Sequence, residues 1–316
     1  HANALDVRVM PPLFGAAVSE ATAWIPALRV ELGFRLGLVQ WLLALVVTGI
    51  GVTLFDRFMQ ARDFGKATAY LEKASQLAPD VAVLHTSLGV SRLQQGDTAK
   101  GIAELERATE LDPKSDRALT ALAQAEIGLK HYDKALAAVA KLETLKPDDA
   151  QTYNLKATVL LSKGDMPAAR AAFEKALQVT PTFFPAAANL AKLDMIDKKP
   201  EAARKRFEAI LEKDKKNFGA MGALAELAMF DKRPEEATTW LEKAQAENPD
   251  AIPAVLKLGH HYLGTKQEKK ALTLARKFQT ANPTSPEMMD LLGQSQLANN
   301  DPQGALDSYS KLVNMM

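Results

Sequence analysis

Apolar, small and proline residues recur along most of the chain with a period of 34 residues. When the recurring proline is counted as position 32 of each unit, position 7 is leucine in seven of eight units and position 24 is bulky in seven. Position 8 is small in seven of the eight units, and position 20 is small in all of them. Prolines stand at position 32 in six of seven places: Pro79, Pro113, Pro147, Pro181, Pro249 and Pro283. A fixed period of this length indicates a chain of repeated supersecondary units.

Each unit is predicted to hold two antiparallel helices. Helix breakers such as Gly96-Asp97, Gly164-Asp165 and Asp301-Pro302 separate the two halves of a unit, and the recurring proline ends the second helix. Small residues at positions 8 and 20 allow the two helices to approach closely, while bulky residues at positions 7 and 24 fill the space beside that contact.

The pattern of a leucine next to a small residue, a second small residue, a bulky residue and a closing proline resembles the tetratricopeptide repeat (TPR). A single unit cannot bury its own apolar faces, so stacked neighbours must supply the core. We therefore expect an all-α fold, a right-handed α-solenoid of about eight helix-turn-helix units. The predicted units are 48–81, 82–115, 116–149, 150–183, 184–217, 218–251, 252–285 and 286–316.

Residues 1–47 do not follow the period. From Leu36 to Phe55 the chain has 20 residues without a charge, which as a helix would be about 30 Å long, enough to cross the core of a bilayer. This apolar N-terminal helix would run into the first unit. Three interpretations stay open: a membrane helix continuous with the array, an apolar cap on the end of the solenoid, or a segment that is not native to the array.

Composition narrows the function classes. Lys and Arg number 39 against 38 Asp and Glu, so no bulk charge attracts the chain to nucleic acid. The absence of cysteine excludes disulfides, thiolate metal sites and cysteine nucleophiles within these residues. A basic run in the fifth unit, which includes Arg204 and Arg206, is interleaved with acidic residues and is typical of a solvated, salt-bridged outer helix.

Catalytic motifs are not found in the sequence. It has no His-Glu-x-x-His zinc motif and no phosphate-binding Gly-x-x-x-x-Gly-Lys. His260 and His261 are adjacent, so on a helix they point about 100° apart and cannot chelate one metal together. We expect no enzymatic activity, cofactor, metal or small-molecule substrate.

Binding is expected on the first helix of each unit, because in the family that the chain resembles this helix faces a concave groove through positions 2, 5, 9 and 12. The candidate protein-binding residues are Val83, Thr86, Val90, Arg117, Thr120, Gln124, Gln151, Asn154, Thr158, Ala188, Lys192, Glu226, Leu256 and His260. They mix small, apolar and neutral polar side chains, which suits a protein or peptide segment. The alternative is that they only cover the inner wall. The chain does not reproduce the set of Lys, Arg and Asn with which chaperone adaptors of the family grip a peptide carboxylate, and Asn154 and Lys192 are its nearest fragments.

Several strings at variable positions of the repeat are similar to the family of TPR-repeat lipoproteins of bacterial PEP-CTERM/exosortase systems, the PrsT lipoproteins. They are YNLK at 153–156, FPAAANLA at 184–191, AARKRFE at 202–208, GIAELE at 101–106 and LLGQ at 291–294. The resemblance implies a scaffold on the periplasmic side of the bacterial envelope, associated with a membrane and acting in exopolysaccharide production or protein sorting. Its lipid-bearing cysteine would lie upstream of this chain. The alternative is an adaptor anchored in the inner membrane on the cytoplasmic face.

Overall fold

The computed structural model describes residues 64–315, and all regular secondary structure in that range is helical. The predicted all-α fold of helix-turn-helix units is therefore confirmed for these residues. The segment 1–47 and the apolar helix predicted over 36–55 lie outside the described residues. Within 64–315, no helix combines the length and the apolar character needed to span a membrane.

The chain forms two compact units that divide between Leu145 and Lys146. The described part of the first unit contains α1 (Phe64–Leu77), α2 (Ala82–Gln94), α3 (Thr98–Leu111), α4 (Asp116–Gly128) and α5 (Tyr132–Leu145). The second contains α6 (Ala150–Lys163), α7 (Met166–Val179), α8 (Phe184–Ile196), α9 (Pro200–Lys213), α10 (Phe218–Phe230), α11 (Pro234–Glu247), α12 (Ile252–Gly264), α13 (Glu268–Ala281), α14 (Pro286–Ala298) and α15 (Pro302–Met315). Even-numbered helices are the first helices of the repeats, and odd-numbered helices are the second.

The turn between the two helices of a repeat has one recurring backbone geometry. Position 15 is left-handed, with φ between 57° and 91°, at Gly96, Lys130, Gly164, Lys198, Lys232, Lys266 and Asn300. After α10, the Lys232 N–H donates to the Met229 carbonyl at 3.0 Å, and the Arg233 N–H donates to the Ala228 carbonyl at 2.8 Å. This is a Schellman motif, which satisfies the last carbonyls of the helix and turns the chain into its partner helix.

Small residues at positions 8 and 20 bring the paired helices into backbone contact. A Cβ added at Gly89 would lie 2.8 Å from the Gly101 carbonyl oxygen, and one at Gly101 would lie 3.0 Å from the Gly89 carbonyl oxygen. In the second unit the same two positions are fully buried alanines, Ala157 and Ala169, which pack with Phe173. The core thus consists of local clusters, each shared by neighbouring helices.

Position 11 of the first helix carries a buried polar group in several repeats. In α8 this group is Asp194, which is 3% exposed. Its carboxylate accepts from Arg170 of α7 and from Arg206 of α9, each at 2.5 Å. Arg206 also donates to Glu174 of α7 at 2.8 Å. These ion pairs tie two successive repeats together through three helices.

Candidate interaction surface

The candidate residues are distributed over the first helices α2 and α4 of the first unit and α6, α8, α10 and α12 of the second. Six are exposed: Arg117, Gln124, Gln151, Lys192, Glu226 and His260. Seven are half-buried: Val83, Val90, Thr120, Asn154, Thr158, Ala188 and Leu256. The repeat positions chosen from the sequence therefore mostly reach the surface of their helices.

Thr86 is the exception, because it is 1% exposed. Its hydroxyl donates to the Ala82 carbonyl at 2.9 Å, so its polar atom is used inside the helix. The structure does not present Thr86 to a partner, since α2 buries an unbroken stretch from Leu84 to Gly89. The expectation that position 5 faces the groove therefore does not hold for α2, because most sides of this helix are buried.

Asn154 links two first helices rather than standing alone. The Asn189 side-chain amide of α8 donates to the Asn154 side-chain oxygen of α6 at 3.3 Å. The Thr158 hydroxyl donates to the Asn154 carbonyl at 2.9 Å. Lys192, one turn beyond Asn189 on α8, is exposed.

A cleft of about 440 Å³ lies among α10, α11 and α12 in the second unit. Two of the candidate residues line it, Glu226 and His260. The full lining comprises Gly222, Ala225, Glu226, Met229, Leu241, Lys257, His260, His261, Gly264 and Thr265. The cleft lies towards the C-terminal ends of α10 and α12.

The space exists because residues that face it lack bulk. Gly264 stands at position 13 of its repeat, where the two preceding repeats have Ile196 and Phe230. A Cβ at Gly264 would meet no atom within 4 Å. Met229 and Leu241 give the cleft an apolar lining.

The two charged side chains of the cleft neutralise each other. Lys257 Nζ lies 2.7 Å from Glu226 Oε1. Lys257 also lies over Gly222, since a Cβ at 222 would be 3.1 Å from its Nζ and 3.6 Å from its Cδ. The lysine stem thus covers the glycine of the facing helix while its charge is paired.

His261 is held by α11. The Thr238 hydroxyl donates to the Pro234 carbonyl at 2.9 Å, so the 2.7 Å contact between Thr238 and His261 is a donation from the ring Nε2. Burial lowers the pKa of His261, and the Pro234 carbonyl and Glu242 oppose this only in part. The ring is therefore uncharged at neutral pH.

The neighbouring residue, Tyr262, is not part of the lining of the cleft. Its hydroxyl donates to Glu242 at 2.7 Å, and Lys270 contacts the same carboxylate oxygen at 3.3 Å. Burial, followed by the Glu242 contact, raises the pKa of Tyr262. This group anchors α12 to α11 and α13.

Large apolar side chains are exposed beside the cleft. Met229 is 45% exposed and Phe230 is 68% exposed at the end of α10. Ile196, one repeat earlier at the same position as Phe230, is 63% exposed. We call these three exposed apolar residues, which lie at or near position 13 of successive repeats, the apolar edge.

Sequence reasoning missed part of this site. Lys257, His261 and Gly264 occupy positions 6, 10 and 13, outside the positions chosen for the groove. One signal was available for Gly264, because the two preceding repeats carry bulky apolar residues, Ile196 and Phe230, at that position. No comparable signal indicates where the Lys257 side chain lies.

The basic run of the fifth repeat is salt-bridged as expected, but the prediction of a solvated helix is wrong for its two central arginines. Arg204 and Arg206 side chains are only 12% and 19% exposed. Arg204 binds Glu236 of α11 at 2.6 Å, and Arg206 binds Asp194 and Glu174. Spacing along one helix suggested partners within it, whereas the stacking of repeats supplies partners from other helices.

Within residues 64–315, histidine, aspartate and glutamate side chains form no cluster of three or more that could hold a metal ion.

Models of the tetratricopeptide repeat match residues 92–159 and 194–260, residues 52–116, and residues 150–183. Together the matches cover well over half of the 316 residues. The chain belongs to the tetratricopeptide repeat family. TPR proteins typically are non-enzymatic scaffolds that mediate protein–protein interactions.

The chain is similar to solved structures at low sequence identity. PilF of Pseudomonas aeruginosa is 18% identical with a TM-score of 0.51, covering 66% of this chain and 95% of its own. A TPR protein from Parabacteroides merdae is 17% identical with a TM-score of 0.48, covering 79% and 99%. MamA from Desulfovibrio magneticus RS-1 is 16% identical with a TM-score of 0.46, covering 54% and 97%. No curated protein sequence matches the chain significantly.

Proposed function

We propose that this TPR protein is a non-enzymatic scaffold that binds protein segments on the first helices of its repeats. In the second unit we call the exposed side of α6, α8, α10 and α12 the first-helix face. The observation that carries the proposal is the cleft between α10 and α12. Part of its lining is apolar and accessible to a partner, and Met229 and Phe230 are exposed at this place. Concave apolar sites with a few polar groups are typical of ligand and peptide recognition.

The first test changes this face without touching the core. Immobilised wild-type protein and the double variant Asn154→Ala, Lys192→Ala are compared for capture of proteins from a lysate of the source cells. We expect the double variant to lose most of the captured partner, because Asn154 and Lys192 lie on neighbouring first helices of that face. Circular dichroism should show unchanged helix content.

The matched control is Gln178→Ala with Lys205→Ala. It also removes one amide and one lysine, but from exposed positions of the second helices α7 and α9 in the same two repeats. Equal capture by both double variants at full helix content would refute binding on the first-helix face.

We further propose that the scaffold acts in the envelope of a bacterium with a PEP-CTERM/exosortase system, on the periplasmic side and associated with a membrane. Support comes from the strings at 153–156, 184–191 and 202–208, which resemble the TPR lipoproteins of such systems at variable positions of the repeat. The partners would then be components that make or export exopolysaccharide, or that sort surface proteins.

Fractionation and protease accessibility test the location. A tagged array should be cleaved by protease added to spheroplasts, because a periplasmic array is then exposed. Protection in spheroplasts together with recovery in the membrane fraction would instead favour the second candidate, a cytoplasmic adaptor anchored in the inner membrane. The observation that motivates this alternative is the uncharged stretch at 36–55.

A further inference from the structure

The α10–α12 cleft has the size of a binding site for one or two large side chains. Its volume of about 440 Å³ falls within the range of ligand sites in proteins, about 300–1,000 Å³. Gly222, Ala225 and Gly264 open it, and Met229 and Leu241 line it with apolar surface. Its shape therefore admits a bulky side chain from outside.

The lysine and the glutamate that line the cleft are paired with each other. Glu226 and Lys257 are paired at 2.7 Å, so a charged ligand group would have to compete with an existing partner. His261 donates to Thr238 and is uncharged at neutral pH, because burial lowers its pKa. Burying a charge without a partner is costly, which disfavours acidic or basic side chains in this space.

The apolar surface continues outside the cleft. Met229 belongs to the lining and is 45% exposed, and Phe230 follows it at 68%. Ile196 extends the same edge into the preceding repeat at 63% exposure. An open cleft beside exposed apolar side chains matches the anatomy of protein interfaces, where a few anchors fill pockets at the centre.

We propose that the α10–α12 cleft anchors an uncharged aromatic or branched aliphatic side chain of a partner protein, whose neighbouring apolar residues pack on Met229, Phe230 and Ile196. This inference rests on the proposed function and specifies the partner chemistry at that face. It assigns specificity to the sixth and seventh repeats, whose first helices, α10 and α12, line the cleft.

The test uses short fluorescein-labelled peptides and fluorescence anisotropy. One peptide carries Leu-Trp-Leu in a neutral Ser/Gly context. Two others keep this centre but flank it with Asp or with Lys, and a fourth replaces the centre with Ser. We expect the neutral apolar peptide to bind most tightly, and the Ser peptide to lose at least about tenfold in affinity.

Filling the cleft should weaken this binding. Gly264→Met places a side chain into open space at the end of α12, where glycine is a poor helix former, so the variant should fold. Gly128→Met is the matched control, because Gly128 holds the same repeat position in α4 and an added Cβ there also meets nothing within 4 Å. We expect the Kd of the neutral apolar peptide to rise about tenfold or more in Gly264→Met and to stay within about twofold in Gly128→Met.

Other outcomes overturn the inference in distinguishable ways. Tighter binding of the Asp or Lys peptide refutes the uncharged partner. Unchanged affinity in Gly264→Met places peptide binding elsewhere, and the proposed scaffold function then stands without the cleft. Phe230-dependent retention on phosphatidylglycerol vesicles, with no peptide bound, would assign the edge to a lipid surface. Failure of all peptides and vesicles refutes the cleft as an anchor, while the lysate comparison still decides the scaffold function.

Discussion

At the residue scale, four lysines adopt a backbone conformation that costs free energy. Lys130, Lys198, Lys232 and Lys266 have φ between 57° and 61° at the turn of their repeats. Residues with a Cβ pay about 1–2 kcal/mol for this region, which glycine adopts freely. Two other repeats have glycine at the same position, Gly96 and Gly164, which adopts a positive φ without this cost.

Lys232→Gly is predicted to raise the free energy of unfolding by roughly 1 kcal/mol, because the strain is relieved by more than the added chain entropy costs. Urea unfolding followed by circular dichroism measures the change. The control Lys205→Gly removes the same charge from an exposed interior position of α9, where glycine costs about 1 kcal/mol. A destabilised Lys232→Gly would contradict the argument from strain.

The position of this turn was visible in the sequence only in part. Gly96, Gly164 and the Asp301-Pro302 pair are recognisable breakers, but lysine gives no signal for a left-handed residue. The lysine turns arise because the Schellman hydrogen bonds and the packing of the two helices impose the conformation.

Asp194 gives the second prediction at this scale. Burial raises the pKa of its carboxyl, but the hydrogen bonds from Arg206 and Arg170 outweigh burial and hold the pKa below its usual 3.8. A lowered pKa contributes stability above the unfolded value, and this stability is lost as the pH falls through the folded value.

Asp194→Asn should lower the free energy of unfolding by roughly 3 kcal/mol at neutral pH, since it removes the buried carboxylate that Arg170 and Arg206 share. It should also reduce the loss of stability between about pH 5 and pH 3. Chemical denaturation at both pH values measures this, with exposed Asp148→Asn as control. If the variant lost as much stability at low pH as the wild type, Asp194 would not be the cause of that loss.

At the scale of the elements, close helix contacts depend on glycine and alanine. A Cβ at Gly259 of α12 would lie 2.6 and 2.8 Å from the two methyl carbons of Leu291 of α14. Leu291 is fully buried and has little room to move. The position-8 pattern predicted such small residues from the sequence, because their spacing is fixed by the period. It could not show which neighbouring repeat supplies the contact.

Gly259→Leu is predicted to destabilise the protein by about 1–3 kcal/mol, because overpacking outweighs the gain in helix propensity. Gly128→Leu should be neutral or stabilising, since a Cβ at Gly128 has open space. Thermal unfolding of the two variants side by side measures the difference. Equal melting temperatures would refute the close approach of α12 and α14.

At the scale of the whole molecule, the 34-residue period predicted the all-α repeat fold, because every unit obeys the same steric rules. It predicted less of the interaction surface. Glu226 and His260 were identified from the family pattern, but the cleft depends on Gly264 and on the way Lys257 lies over Gly222. Such features differ between repeats, so a repeating rule does not reveal them.

The central claim is that partners bind the first helices rather than the second. Site-specific photo-crosslinking tests it most directly, with p-benzoyl-phenylalanine placed at His260 on α12 or at Thr239 on α11 in the source cells. Both sites are exposed and belong to the second unit. Protein adducts are expected at 260, and few or none are expected at 239. Adducts at 239 alone, or equal yields at both sites, would contradict it.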